Sequence, residues 1–160
     1  EGSTFSFTVE FPWLGEKEQS VEQDTETVSF EGKHVLVVED NLLNMEITHT
    51  ILEGYGILVD EAYNGQEAVD RIRDTEPGIY DLILMDIMMP VMDGLEAARM
   101  IRRMAREDCK TIPIVAMSAN AFEEDVRRSL ESGMNGHLSK PVDIGRLKEM
   151  LGRMLAAKPG

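Results

Sequence analysis

Five short, nearly unbroken apolar runs separated by amphipathic stretches constrain this chain more than any other feature. The runs are His34-Val35-Leu36-Val37-Val38, Ile57-Leu58-Val59, Leu82-Ile83-Leu84-Met85, Ile112-Pro113-Ile114-Val115-Ala116-Met117 and a short one around His137-Leu138. A strand wetted on one face alternates apolar and polar side chains. Unbroken runs mark strands covered on both faces, as in parallel sheets flanked by helices. The stretches between them carry helical spacing: Leu43, Ile47 and Ile51, then Ala68, Val69 and Ile72 in a helix starting near Asn64. A third helix is announced by Asp93 and Glu96 as a capping pair and turns Leu95, Ala98 and Ile101 inward. Phe122, Val126 and Leu130 follow at i, i+4, i+8, and the last helix carries Ile144, Leu147, Leu151 and Leu155. Five strand–helix units across residues 32–157 predict one doubly wound α/β domain, a five-stranded parallel sheet with helices on both faces. In such a sheet the chemistry lies at the carboxyl ends of the strands.

Residues 1–31 differ in character. Phe5, Phe7, Val9 and Phe11 alternate with polar residues, so residues 1–13 are expected to hold a half-buried strand. Residues 14–31 are rich in Glu, Gln, Ser and Thr and read as an acidic linker. Eight acidic residues face one lysine across residues 1–31, which is half of the chain's net charge of −14. That charge argues against nucleic acid and anionic membranes as partners, because both attract Lys and Arg. No apolar run approaches the length of a membrane span. The lone Cys109 rules out an internal disulfide and suits a reducing, cytoplasmic setting; whether a longer parent is membrane-anchored is left open.

Polar residues gather where the fold predicts chemistry. Glu39 and Asp40 close the first strand, Asp86 the third and Ser118 the fourth, while Lys140 follows the fifth. Taken singly, each could be a helix cap. Taken together, three carboxylates and one lysine leave a local surplus of about two negative charges, which calls for a cation. Oxygen ligands without His or Cys suit a hard ion such as Mg²⁺. Asp86 would then be a nucleophile toward phosphorus, with Lys140 and Ser118 serving the remaining phosphoryl oxygens.

The motifs VLVVEDN at 35–41, LILMDIMMPVMDG at 82–94, IVAMSAN at 114–120 and HLSKP at 137–141 resemble those of response regulator receiver domains, along essentially all of residues 32–157. The resemblance implies a flavodoxin-like fold with strand order 2-1-3-4-5. It makes Asp86 the phospho-acceptor, Asp40 and Asp86 direct Mg²⁺ ligands, and the Met88 backbone carbonyl a third, with Glu39 acting through a metal-bound water. Ser118 becomes the switch hydroxyl and Lys140 the phosphate-contacting lysine, joined to Pro141 by a cis bond. The family's usual Tyr or Phe three residues before the lysine is here His137, which puts the usual hydroxyl–aromatic coupling in doubt.

Residues 2–11 resemble the end of a histidine-kinase ATP-binding domain. The expected parent is therefore a hybrid sensor histidine kinase, with a kinase domain in the same chain and a histidine phosphotransfer protein as partner. The fragment itself has no kinase core and supports only its own phosphorylation and dephosphorylation. Docking is expected near Asn44, Met45, Pro90 and Met92, and residues 4–11 are expected to fold back or to pair with another copy of the chain. A stand-alone regulator is the alternative; the chain ends too soon after its last helix for a DNA-binding domain. Two other classes fail. A haloacid-dehalogenase-like phosphatase needs a second Asp at the position of Met88, and a flavodoxin-like cofactor binder cannot cradle a phosphate on Glu39-Asp40. His34 and His49 read as structural or solvated, Arg99, Arg102, Arg103 and Arg106 as a solvated face, and Glu123–Arg127 and Glu124–Arg128 as weak i,i+4 pairs.

Overall fold

The computed structural model describes residues 30–119 and 122–156. The elements run β1 (His34–Val38), α1 (Leu42–Gly54), β2 (Leu58–Ala62), α2 (Gly65–Asp74), β3 (Leu82–Asp86), α3 (Gly94–Arg103), a short α4 (Glu107–Thr111), β4 (Ile114–Ser118), α5 (Glu123–Glu131), β5 (Gly136–Ser139) and α6 (Ile144–Ala156). The strands form one parallel sheet in the order β2-β1-β3-β4-β5. The expected flavodoxin-like topology is the observed one.

The unbroken apolar runs are explained by two cores, one on each face. Along β1, β3 and β4, Leu36, Val38, Ile83, Met85, Ile114 and Ala116 enter one core, which α2 and α3 cover with Ala68, Val69, Ile72, Leu95, Ala98 and Ile101. Their neighbours Val35, Val37, Leu82, Leu84, Val115 and Met117 enter the other, against Met45 and Leu52 of α1 and Leu147, Leu151 and Leu155 of α6. Alternate side chains of a strand point to opposite faces, so a strand between two cores is apolar at every position. β2 is an edge strand and departs from this pattern: it takes in the half-buried Asp60 and Glu61 and leaves Leu58 exposed. Asn64 and Asp93 cap α2 and α3 by accepting from the amides of Glu67 and Glu96.

Several helix faces differ from expectation. In α1 the buried residues are Met45, Thr48 and Leu52, while Leu43 and Ile47 face solvent beside the exposed Leu42. Apolar residues lie all round this helix, so spacing alone does not select its inward face. Met45 is thus a core residue and is closed to a partner. In α5 only Ser129 is fully buried; Phe122, at the N-cap, and Leu130 are exposed. Ile144 opens α6 in an exposed position as well. Phe30, assigned on sequence to the linker, is buried in the α1/α6 core and packs edge-on against Tyr55, with ring centroids 5.7 Å apart.

Two arginines read as solvated are structural ties. Arg102 donates to the carbonyls of Gly133 and Cys109 and to Asn135 Oδ1, whose oxygen also accepts from the amide of Ile114. Arg106 pairs with Asp108 at 2.8 Å and donates to the carbonyls of Ile72 and Thr75, fastening α4 to the end of α2. Arg99 and Arg103 stay exposed. Among the described residues no ion pair joins Glu123 to Arg127 or Glu124 to Arg128. His34 pairs with Asp60 and packs on Tyr80, and His49 bridges Glu61 and Glu53, so both histidines are structural. The apolar stripe at residues 4–11 lies outside the described residues.

Candidate functional site

The parallel sheet brings the carboxyl ends of β1, β3, β4 and β5 to one rim. β1 runs out into Glu39 and Asp40; the amide of Glu39 still bonds the carbonyl of Ala62, so its side chain is held by the sheet. Asn41 then caps α1 by accepting from the amide of Asn44, which turns the chain sharply and leaves Asp40 exposed. Asp86 is the last residue of β3 and only 2% exposed. Carboxylate oxygens of Glu39, Asp40 and Asp86 all lie within 4.8 Å of one another. Lys140 reaches back from beyond β5, and its Nζ donates to Glu39 Oε2 at 3.0 Å and to Asp86 Oδ2 at 3.1 Å. The Lys140–Pro141 bond is cis, as expected. All four charged residues singled out from sequence therefore converge.

The acceptor loop after Asp86 is fastened at both ends. Gly94 donates its amide to the carbonyl of Ile87, and a Cβ at Gly94 would lie 2.3 Å from the Asp86 carbonyl oxygen. Gly65, at the start of α2, donates to the carbonyl of Met92, and a Cβ there would come within 2.5 Å of that same oxygen. No residue but glycine fits at either position. Between them, Val91 has a φ of 69° and the amide of Met92 donates to the carbonyl of Pro90. A positive φ with an i→i+2 bond is a γ-turn of the strained hand, and a β-branched residue there is an outlier. Sequence gave no sign of it.

The charge balance of the rim is unfavourable as it stands. Burial, reinforced by the neighbouring Glu39, pushes the Asp86 carboxyl up to about 7 against the opposing pull of Lys140. Burial disfavours the Lys140 ammonium, but Glu39 and Asp86 outweigh it and hold that amine above its usual range. One lysine thus meets three carboxylates. The donor set is all oxygen and one carboxylate, Asp40, faces solvent, which fits a hard cation such as Mg²⁺ that keeps part of its water shell.

Ser118 ends β4, buried, one residue past the Asp86–Met117 pairing. Its carbonyl accepts from the amide of Lys140 at 2.8 Å. Its hydroxyl lies 3.1 Å from Nε2 of His137 on the adjoining strand, so the two residues expected to form a switch are hydrogen-bonded to each other.

Residues 35–152 match the family model of the response regulator receiver domain. This chain is a receiver domain. It is 43% identical over 129 residues to the osmosensing histidine protein kinase SLN1 of Saccharomyces cerevisiae, covering 79% of this chain and 10% of that protein. It is 39% identical over 125 residues to hybrid signal transduction histidine kinase M of Dictyostelium discoideum, covering 78% and 5%. The receiver thus spans a small part of these relatives. Among solved structures, the receiver domain of a sensor histidine kinase from Pseudomonas aeruginosa, with magnesium coordinated in its active-site cleft, has a TM-score of 0.70 at 37% identity, covering 78% of this chain and 98% of that one. A co-crystal of the Saccharomyces cerevisiae phosphotransfer protein Ypd1 with the receiver domain of Ssk1 gives 0.71 at 34%, covering 81% and 92%.

The receiver also presents an apolar surface beside its rim. Leu42 and Leu43 are 72% and 65% exposed and Val91 is 81% exposed, with Ile47 and Met88 also open to solvent. A cleft lined by Glu39, Asn44, Ile47, Lys140 and Val142 lies next to the acid cluster. Of the residues expected to dock a partner, Pro90 is exposed and Asn44 half-buried, Met92 packs on the core and Met45 is buried. Among the described residues no helix is long and apolar enough to cross a membrane.

Proposed function

We propose that this receiver takes a phosphoryl group from a phosphohistidine onto Asp86 and passes it to a histidine phosphotransfer protein. The observation that carries the reading is the buried Asp86 carboxylate, held by Lys140 at 3.1 Å among two further carboxylates at the strand ends. A carboxylate oxygen of Asp86 attacks phosphorus as the P–N bond to the donor imidazole breaks, and an acyl phosphate forms. Lys140, already aimed at the Asp86 oxygen, steadies the charge on the phosphoryl oxygens, and the Ser118 hydroxyl donates to another. Glu39, Asp40, Asp86 and the Met88 backbone carbonyl would hold Mg²⁺, which when bound offsets the surplus negative charge. Burial of Asp86 keeps water from the acyl phosphate once made.

The parent is read as a hybrid histidine kinase, with residues 1–13 the end of its ATP-binding domain, residues 14–31 a linker, and the receiver lying toward the cytoplasm. The phosphotransfer partner docks on the apolar surface of α1 and the acceptor loop, formed by Leu42, Leu43, Ile47 and Val91 rather than by Met45. The test is to incubate the protein with acetyl phosphate and Mg²⁺ and to map the modified residue by mass spectrometry. A single phosphoryl group on Asp86, absent in Asp86→Asn, is expected. Undiminished labelling of a folded Asp86→Asn protein would overturn the assignment.

A further inference from the structure

Sulfur is distributed very unevenly over this receiver. Of its eleven methionines, five are buried in the two cores and five more are half-buried against them. Met88 alone is open, at 75% exposure. The single thiol offers no competing target. Cys109 is 1% exposed, and burial pushes its pKa up, which keeps it in the unreactive protonated form. The one open sulfur of the chain therefore stands two residues from Asp86.

The backbone holds Met88 outside. Its predecessor Ile87 donates its amide to the Met117 carbonyl and accepts at its own carbonyl from Gly94. Its successor Met89 packs on the core beneath α2 and α3. Both neighbours are tied down, so the side chain between them is presented to solvent on the loop where a partner is read to dock. A thioether is apolar and adaptable, which suits such a surface. Its sulfoxide is polar and chiral, and disrupts one.

We propose that Met88 is an oxidation site of this receiver, at which hydrogen peroxide reversibly turns part of the partner-docking loop from apolar to polar. In the step, a sulfur lone pair attacks one peroxide oxygen as the O–O bond breaks. The S–O bond forms, the departing hydroxide takes the proton left on the transferred oxygen, and water is released. Sulfur is oxidised by two electrons and the peroxide is reduced by two. The return needs a dithiol, which becomes a disulfide as the sulfoxide oxygen leaves in water; methionine sulfoxide reductases catalyse it. The inference rests on the docking reading above and adds a redox control to it. Acceptor chemistry is spared, because the part of Met88 proposed to face the metal is its backbone carbonyl, which oxidation at sulfur leaves unchanged.

The test treats the full chain with rising doses of hydrogen peroxide and maps added oxygen by tandem mass spectrometry, with guanidinium-unfolded protein as the reference. In the folded protein the first oxygen is expected on Met88, ahead of every other methionine and of Cys109, and unfolding should abolish that preference. Met88→Leu should lose this first oxygen. The two methionine sulfoxide reductases, one for each epimer, should remove it with dithiothreitol as the dithiol. Retention on a phenyl resin should fall on oxidation and recover on reduction, while acetyl phosphate and Mg²⁺ still label Asp86 in the oxidised protein. A first oxygen elsewhere, no preference over the unfolded chain, a sulfoxide that the reductases cannot remove, or unchanged retention would overturn the inference. So would labelling lost only after oxidation, since the effect would then lie at the acceptor. Absence of labelling before any peroxide is added would instead remove the Asp86 reading and the docking consequence drawn from it.

Discussion

Replacing Asp86 by Asn should stabilise the metal-free protein, and by an amount that grows with pH. An acid whose folded pKa is raised is harder to ionise in the native state than in the unfolded one. Its penalty is absent below the unfolded value, grows as pH rises, and is complete above the folded value. For Asp86 those values are 3.8 and about 7. At 1.36 kcal/mol per pKa unit, the full penalty is bounded at about 4 kcal/mol. Asn keeps the shape and removes the charge, and the raised value is already net of the opposing pull of Lys140. A gain of up to about 4 kcal/mol at pH 8.5 is therefore expected. At pH 5.5 the native carboxyl is already mostly protonated, so the gain there should be smaller by about 2 kcal/mol. Urea unfolding of both proteins in EDTA at the two pH values measures this directly. Added Mg²⁺ should then raise the stability of the wild type more than that of Asp86→Asn at pH 8.5. A substitution that destabilises equally at both pH values would show that the carboxylates at this rim are not in conflict.

Four further outcomes follow from the packing. A chain beginning at Glu31 loses the buried Phe30 and should be less stable than one beginning at residue 28 by about 1.5–3 kcal/mol in denaturant unfolding. Val91→Gly relieves a positive φ that costs a branched residue about 1–3 kcal/mol and adds chain entropy of about 0.5–1, so a small rise in melting temperature is expected. Arg102→Met removes the side-chain donor to the carbonyls of Gly133 and Cys109, leaves Asn135 Oδ1 with the Ile114 amide alone, and should cost about 2–4 kcal/mol. At His49, burial lowers the imidazole pKa but the carboxylates of Glu61 and Glu53 outweigh it, so the net shift is upward. Relative to His49→Gln, the wild type should thus gain up to about 1 kcal/mol below the unfolded value near 6.5, and lose that gain as pH rises through the folded value.

The sheet and the charged rim were legible because their signals are local and redundant. Val35 to Val38 and Leu82 to Met85 can only be strands between two cores, and parallel strands of that kind must bring Asp86 and Glu39 to the same edge. Lys140 was legible through its neighbours on β5. What sequence concealed depends on long-range geometry. The inward face of α1 could not be chosen among Leu42, Leu43, Met45 and Ile47, since apolar side chains surround the helix. Arg102 and Arg106 look like an ordinary solvated row until the carbonyls that they serve are brought close by the fold. Phe30 gave no sign of burial because its partner Tyr55 lies a strand and a helix away. The bond between Ser118 and His137 crosses 19 residues of chain and exists only in the observed β4/β5 register.

The two glycine contacts at the acceptor loop make the stretch from Asp86 to Gly94 a gauge of fixed length. One end is set by the Asp86 carbonyl against Gly94, and the far side by the Met92 carbonyl against Gly65, each with no room for a methyl group. Shortening this stretch would pull one contact or the other apart and draw Asp86 out of line with Lys140, whereas Met88, Pro90 and Val91 at its tip face solvent, where a partner can meet them.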